Sequence, residues 1–129
     1  MVLLTGIVYS QCNKDNWEYY YPDRMQNCNL AGADLKGADL EWAFLKRANL
    51  SAANFRGANL MKSDLSWANL TGANLTGAVL AGANLEGAEL LQATLRYVKS
   101  GGIIGEPASL PAGWSLKDGV LIFKDIEQE

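Results

Sequence analysis

The side chains able to do chemistry in this chain are few. Fourteen carboxylates and 11 cations stand beside two cysteines and no histidine in 129 residues. Without histidine, a serine or cysteine nucleophile lacks its usual general base. Cys12 and Cys28 are 16 positions apart with no CxxC pairing, so zinc binding and thiol catalysis have no support. A disulfide between them requires the segment ahead of Cys28 to fold down beside it, which the residues alone leave open. The glycines recur at five-residue intervals and form no phosphate-binding loop. No enzyme activity, catalytic residue, metal or cofactor is expected.

The elements that must position the remaining side chains follow from a period of five. Large apolar residues stand at Leu30, Leu35, Leu40, Leu45, Leu50, Phe55, Leu60, Leu65, Leu70, Leu75, Leu80, Leu85, Leu90 and Leu95. Two positions before each is alanine, except at Cys28 and Ser63. On an α-helix of about 100° per residue these side chains would step round by about 140° and leave no apolar stripe. In one straight strand, residues five apart face opposite sides, so half would meet water. A chain that bends the same way every five residues instead sends all of them to a common axis, which is a β-solenoid. The small residue then also points inward. Asn and Asp just before the leucine, as at Asn29, Asp34 and Asn49, suit corners because their side chains bond nearby amides. Gly32, Gly37, Gly57, Gly72, Gly77, Gly82 and Gly87, two positions after it, suit corners for their conformational freedom.

The tandem A-(N/D)-L-x-x pattern over residues 28–97 resembles the pentapeptide-repeat family. The resemblance implies an all-β, right-handed quadrilateral β-helix of four blocks per turn, here about three and a half coils. Residues 20 apart should then stack in columns, neighbouring coils lying about 4.8 Å apart. Three segments are expected: an N-terminal cap over 1–27, the β-helix over 28–97, and a C-terminal cap and tail over 98–129.

On that frame, departures from the pattern mark a candidate surface. Trp42, Phe44, Trp67 and Val79 are bulky or apolar at outward positions, and stacking places Trp42 on Lys62, Phe44 on Asp64 and Arg47 on Trp67. Trp42, Phe44, Lys46, Arg47, Lys62 and Trp67 should thus share one face and its two corners as a protein-contact patch, since exposed aromatics beside arginine are typical interface anchors. The competing reading is structural: the aromatics cover backbone, stack on cations, or lie beneath the N-terminal segment. The leading function is a non-enzymatic interaction or scaffold module that binds another protein. The alternative, taken from the family resemblance, is a DNA-mimicking inhibitor of gyrase. Such mimics are strongly negative, whereas Lys36, Lys46, Arg47, Arg56, Lys62 and Arg96 here balance Asp34, Asp39, Glu41, Asp64, Glu86 and Glu89.

A neutral coil in a chain of net charge −3 argues against nucleic-acid binding, which needs a basic surface. No stretch reaches the ~20 apolar residues of a membrane span. The first basic residue is Lys14, too late for an export signal, so a cytoplasmic monomer is expected and residues 1–10 are read as a strand or turn closing the first coil. Residues 13–27 carry Trp17, Tyr19, Tyr20, Tyr21 and Pro22, read as a cover for the first leucine layer, with a contact surface as the alternative. At the other end the pattern stops after Tyr97. Two short strands are expected around Lys117-Asp118-Gly119, with Leu110, Trp114, Leu116, Leu121 and Phe123 covering the last layer, and residues 125–129 fraying. Ser66 is read as outward and tolerant of leucine, in contrast to Ala58.

Overall fold

The computed structural model describes residues 11–124. The expectations for residues 1–10 and 125–129 fall outside them.

Each five-residue block makes one bend. The backbone N–H of Ala33 donates to the Leu30 carbonyl at 3.0 Å, and this four-residue turn recurs block after block. Its third residue has positive φ throughout the repeat, from Gly32 at 67° to Gly87 at 66°, as a type II turn demands. The Asn or Asp before the leucine reinforces the bend. Its Oδ1 accepts the amide of the second turn residue, as from Lys36 to Asp34 at 3.2 Å, Met61 to Asn59 at 3.0 Å and Glu86 to Asn84 at 2.9 Å.

Between bends the chain pairs with the next coil through parallel rungs that join residues 20 apart, such as Asn29 with Asn49 and Asn49 with Asn69. Four blocks therefore complete a turn. From Leu30 to Gly87 the blocks form a repeated set of bonds between coils: Leu30 N–H to Asn49 C=O at 2.7 Å, Gly32 N–H to Ser51 C=O at 2.8 Å, and Asn49 N–H to Cys28 C=O at 2.9 Å. All fourteen large apolar residues of the repeat are buried and form one continuous core with the small residues beside them. Ser63, the polar member of that inner set, returns its hydroxyl to the Leu60 carbonyl at 2.8 Å.

At the N-terminal end, Asn13 pairs with Asn29 as an extra rung, and the Cys12–Cys28 disulfide joins the two rungs with 4.8 Å between Cα atoms. A 3₁₀ helix, Trp17–Tyr19, follows. Trp17 and Tyr20 pack against the core, being one 3₁₀ turn apart and so on one side. Tyr19 and Tyr21 are exposed, contrary to their expected place in the cover, and the fully buried Met25 fills the shaft instead.

At the C-terminal end the backbone register outlasts the sequence pattern. Lys99, Ile104 and Ser109 form further rungs on Val79, Asn84 and Glu89. Ser100 stands where a leucine would be, and its Oγ accepts the Leu121 amide at 3.0 Å. Ile103, in the place of the small residue, is buried there. The chain closes with an antiparallel hairpin of β1 (Trp114–Lys117) and β2 (Val120–Phe123), joined by Asp118 and Gly119 at φ 50° and 76°, the mirror-type turn that hairpins prefer. Leu121 is buried, and Leu110, Trp114 and Leu116 pack on the core. Phe123 does not cover the last layer as expected; it is 57% exposed, with its ring 5.5 Å from that of Trp114. It pairs across the hairpin with Trp114, which takes the place against the core.

Ser66 also departs from expectation. It is only 5% exposed, and its hydroxyl donates to Asp64 Oδ1 at 2.5 Å.

Candidate interaction surface

The stacking rule places the six patch residues on one face and its two corners. Trp42 and Lys62 share the first corner, with the Lys62 Nζ 4.8 Å from the Trp42 ring centre. Phe44 and Asp64 pair on the face between the corners. Arg47 and Trp67 share the second corner: Arg47 N–H donates to Ser66 C=O at 2.9 Å, and Trp67 N–H to Glu86 C=O at 2.7 Å.

The contacts within that frame differ from simple stacking. Trp67 lies across Gly87 of the following coil, so closely that a Cβ on Gly87 would overlap its ring. The cation–π pairs among the described residues are Arg24 on Tyr20, Lys62 on Trp42 and Arg96 on Tyr97, so the Arg47 guanidinium does not stack on the Trp67 ring. Phe44 is half-buried, and its backbone N–H donates to the Pro22 carbonyl at 2.8 Å, so the N-terminal segment lies along that part of the face. Lys46 accepts from Asn27 N–H at 2.9 Å through its carbonyl. Trp42 and Trp67 keep 61% and 52% of their surface exposed. Trp42, Lys62, Asp64, Gly82, Asn84 and Ile104 border a shallow groove of about 440 Å³. Ile104 lies beyond the repeat pattern, and its membership was visible only through its 20-residue register with Asn84.

Backbone geometry singles out the same residues. Trp42, Arg47, Lys62 and Trp67 all occupy the positive-φ corner position, at 64°, 61°, 57° and 60°. A side chain there costs roughly 1–2 kcal/mol that glycine avoids. Nearby, the Tyr21 hydroxyl donates to the Glu41 carbonyl at 2.7 Å. Burial, then the Asp39 and Glu41 carboxylates, push that phenol above its ordinary range. Among the described residues no group of acids, cysteines or histidines is placed to hold a metal ion, and no helix is long and apolar enough to cross a membrane.

The comparisons agree with this geometry. No curated protein matches the chain. Among solved structures it is similar to alr5209, a pentapeptide repeat protein from Nostoc Pcc 7120, at 32% identity and a TM-score of 0.73, covering 83% of this chain and 93% of that one. It is also similar to AT2G44920, a pentapeptide repeat protein from the Arabidopsis thaliana thylakoid lumen, at 28% identity and a TM-score of 0.68, covering 81% and 73%. The family model for pentapeptide repeats matches in 8 copies over residues 24–51, 40–77 and 63–99. With its 20-residue rungs and buried leucine ladder, the chain belongs to the pentapeptide-repeat family and has its β-helix fold.

Proposed function

We propose that this chain is a non-enzymatic protein-interaction module: a monomeric, right-handed, four-sided rod of about three and a half repeat coils that displays side chains to another protein. The observation that carries the reading is the pair Trp42 and Trp67. Two large aromatics remain more than half exposed at adjacent corners, in a backbone conformation where seven other blocks use glycine. Packing in the rod does not demand tryptophan at Trp42, and strain held at an exposed site points to use.

The test compares partner recovery from the native host by the natural protein and by the Trp42→Ala/Trp67→Ala variant, with melting curves to confirm folding. A partner recovered by the first and lost by the second is the expected result; identical recovery defeats the reading. Gyrase supercoiling assayed alongside should be unaffected. One corner column of the rod carries Lys36, Arg56 and Arg96 at 20-residue register, which opposes mimicry of a polyanion.

The cytoplasmic setting expected from the start of the chain and the Cys12–Cys28 disulfide pull in opposite directions, because structural disulfides persist in oxidising compartments. Thiol labelling in freshly lysed host cells decides between them: free thiols would support the cytoplasm, and protected ones an oxidising compartment.

A further inference from the structure

The hydrogen bonds that repeat along the rod also reveal where it is unfinished. Around Leu75 the set is complete: Leu75 N–H reaches Thr94 C=O at 2.8 Å, Gly77 N–H reaches Arg96 C=O at 2.9 Å, and Thr94 N–H reaches Ala73 C=O at 2.9 Å. One coil later the corresponding groups are Leu95 N–H, Tyr97 N–H and Ala93 C=O. None of them has a hydrogen-bond partner among the described residues. The chain that would have supplied the next rung has turned into the hairpin, and Trp114 N–H donates instead to Pro111 C=O at 3.1 Å.

On the next side Val98 C=O, Ser100 N–H and Gly102 N–H also lack partners among the described residues, but the hairpin packs over them. Ser109 completes the rung on Glu89, while Gly119 and Leu121 cover Ile103 and Ser100. The edge from Ala93 to Tyr97, where Leu95 is 1% and Tyr97 73% exposed, instead forms the floor of a groove of about 700 Å³ walled by Pro111, Ala112, Trp114 and Phe123. An open strand edge is a template for another extended chain.

Side chains at this edge define what that chain should be. Arg96 lines the groove, with its guanidinium 5.4 Å from the Tyr97 ring. Arg56 stands in the same corner column, and Lys99 follows two residues after Tyr97. The ion pair found among the described residues is Lys14 with Asp15, so these three cations are not neutralised by carboxylates of the rod. Tyr97, 73% exposed, Trp114 and Phe123 supply aromatic surface.

We propose that the edge Ala93–Tyr97 takes an extended acidic segment of a partner protein as one further rung. The segment runs parallel, as neighbouring coils do, and pairs with Leu95 N–H, Tyr97 N–H and Ala93 C=O. One of its carboxylates meets Arg96, and one aromatic or aliphatic side chain enters the groove against Tyr97, Trp114 and Phe123. This surface is separate from the Trp42 face, and its success or failure is independent of the role proposed for that face.

The experiment titrates a set of capped nonapeptides, built of alternating valine and threonine with two glutamates and with one phenylalanine moved along the set, into the full chain. Calorimetry and amide hydrogen exchange are the readouts. The expected result is saturable binding of at least one peptide below about 1 mM, with slowed exchange at Leu95 and Tyr97. Arg96→Glu should weaken it about tenfold or more, N-methylation of alternate peptide amides should abolish it, and Trp42→Ala/Trp67→Ala should leave it unchanged. The proposal is overturned if no peptide binds, if the N-methylated or lysine-substituted peptides bind equally well, or if single-stranded DNA protects the same amides. Binding that appears only after residues 125–129 are deleted would assign the edge to the chain's own acidic tail, and a dimer that protects Leu95 and Tyr97 would assign it to a second copy; either also overturns it.

Discussion

Backbone conformation sets the terms at the scale of single residues. The third turn position requires positive φ whatever side chain occupies it, and Ala52 sits there at 56° without filling any space in the core. Ala52→Gly should therefore stabilise the protein by about 0.5–1 kcal/mol, the left-handed cost of alanine less the extra entropy of an unfolded glycine. Denaturant titration reads this directly, and a loss of stability would contradict the turn assignment. Tyr21 provides a second test. Its phenol is raised above the ordinary range in the folded protein by burial and by Asp39 and Glu41, so the folded state holds that proton more tightly than the unfolded one. The resulting stabilisation is fully present below the unfolded value of about 10 and is lost as pH climbs through the folded value. Melting curves at rising alkaline pH should show that loss, and Tyr21→Phe should flatten it.

Corners and core layers couple residues at the scale of the element. Trp67 occupies the space that a side chain at Gly87 would need. Gly87→Ala should cost about 2–3 kcal/mol in the natural protein, from positive φ plus overlap, and only about 1 kcal/mol in a Trp67→Ala background. A double-mutant cycle of equilibrium unfolding measures that difference, and additive effects would mean the ring does not rest there. Inside the shaft, Leu60→Ala should cost about 2–5 kcal/mol through the cavity it leaves. Ala58→Leu should cost about 1–3 kcal/mol or more, because the fully buried site has no free volume. The solvent-facing comparison for these is Arg56→Leu, which should melt close to the natural protein; Ser66 is too enclosed to serve.

Both ends must stop an otherwise open ladder at the scale of the whole molecule, and they do so differently. At the N-terminal end the Cys12–Cys28 disulfide ties the extra rung to the first coil. Reduction should lower stability by about 3 kcal/mol, the chain-entropy value for a loop of this length. Thermal melts with and without reductant, repeated on Cys12→Ser, check it; equal midpoints would show that the tie does not constrain the unfolded chain. At the C-terminal end the hairpin caps part of the last coil and leaves the Ala93–Tyr97 edge unpaired.

The amino-acid pattern alone determined the five-residue bend, the inward leucines with their small neighbours, and the Asn and Asp side chains that brace each corner. All of these are local: a turn of four residues and its own side chains decide them, so they can be read from spacing. The Asp-Gly hairpin was legible for the same reason. The candidate face was legible as a set of residues once 20-residue stacking was supplied, but not in its contacts. Only the tertiary structure decided that Trp67 lies on Gly87, that Pro22 runs along Phe44, that Met25 rather than Tyr19 fills the first layer, and that Ser66 is enclosed. It also decided that the coil continues to Ser109 after the leucines cease, because a rung is held by hydrogen bonds to the coil before it and needs no side-chain motif of its own. These outcomes depend on which long-range neighbour competes for a given space, and a repeating local sequence carries no record of that competition.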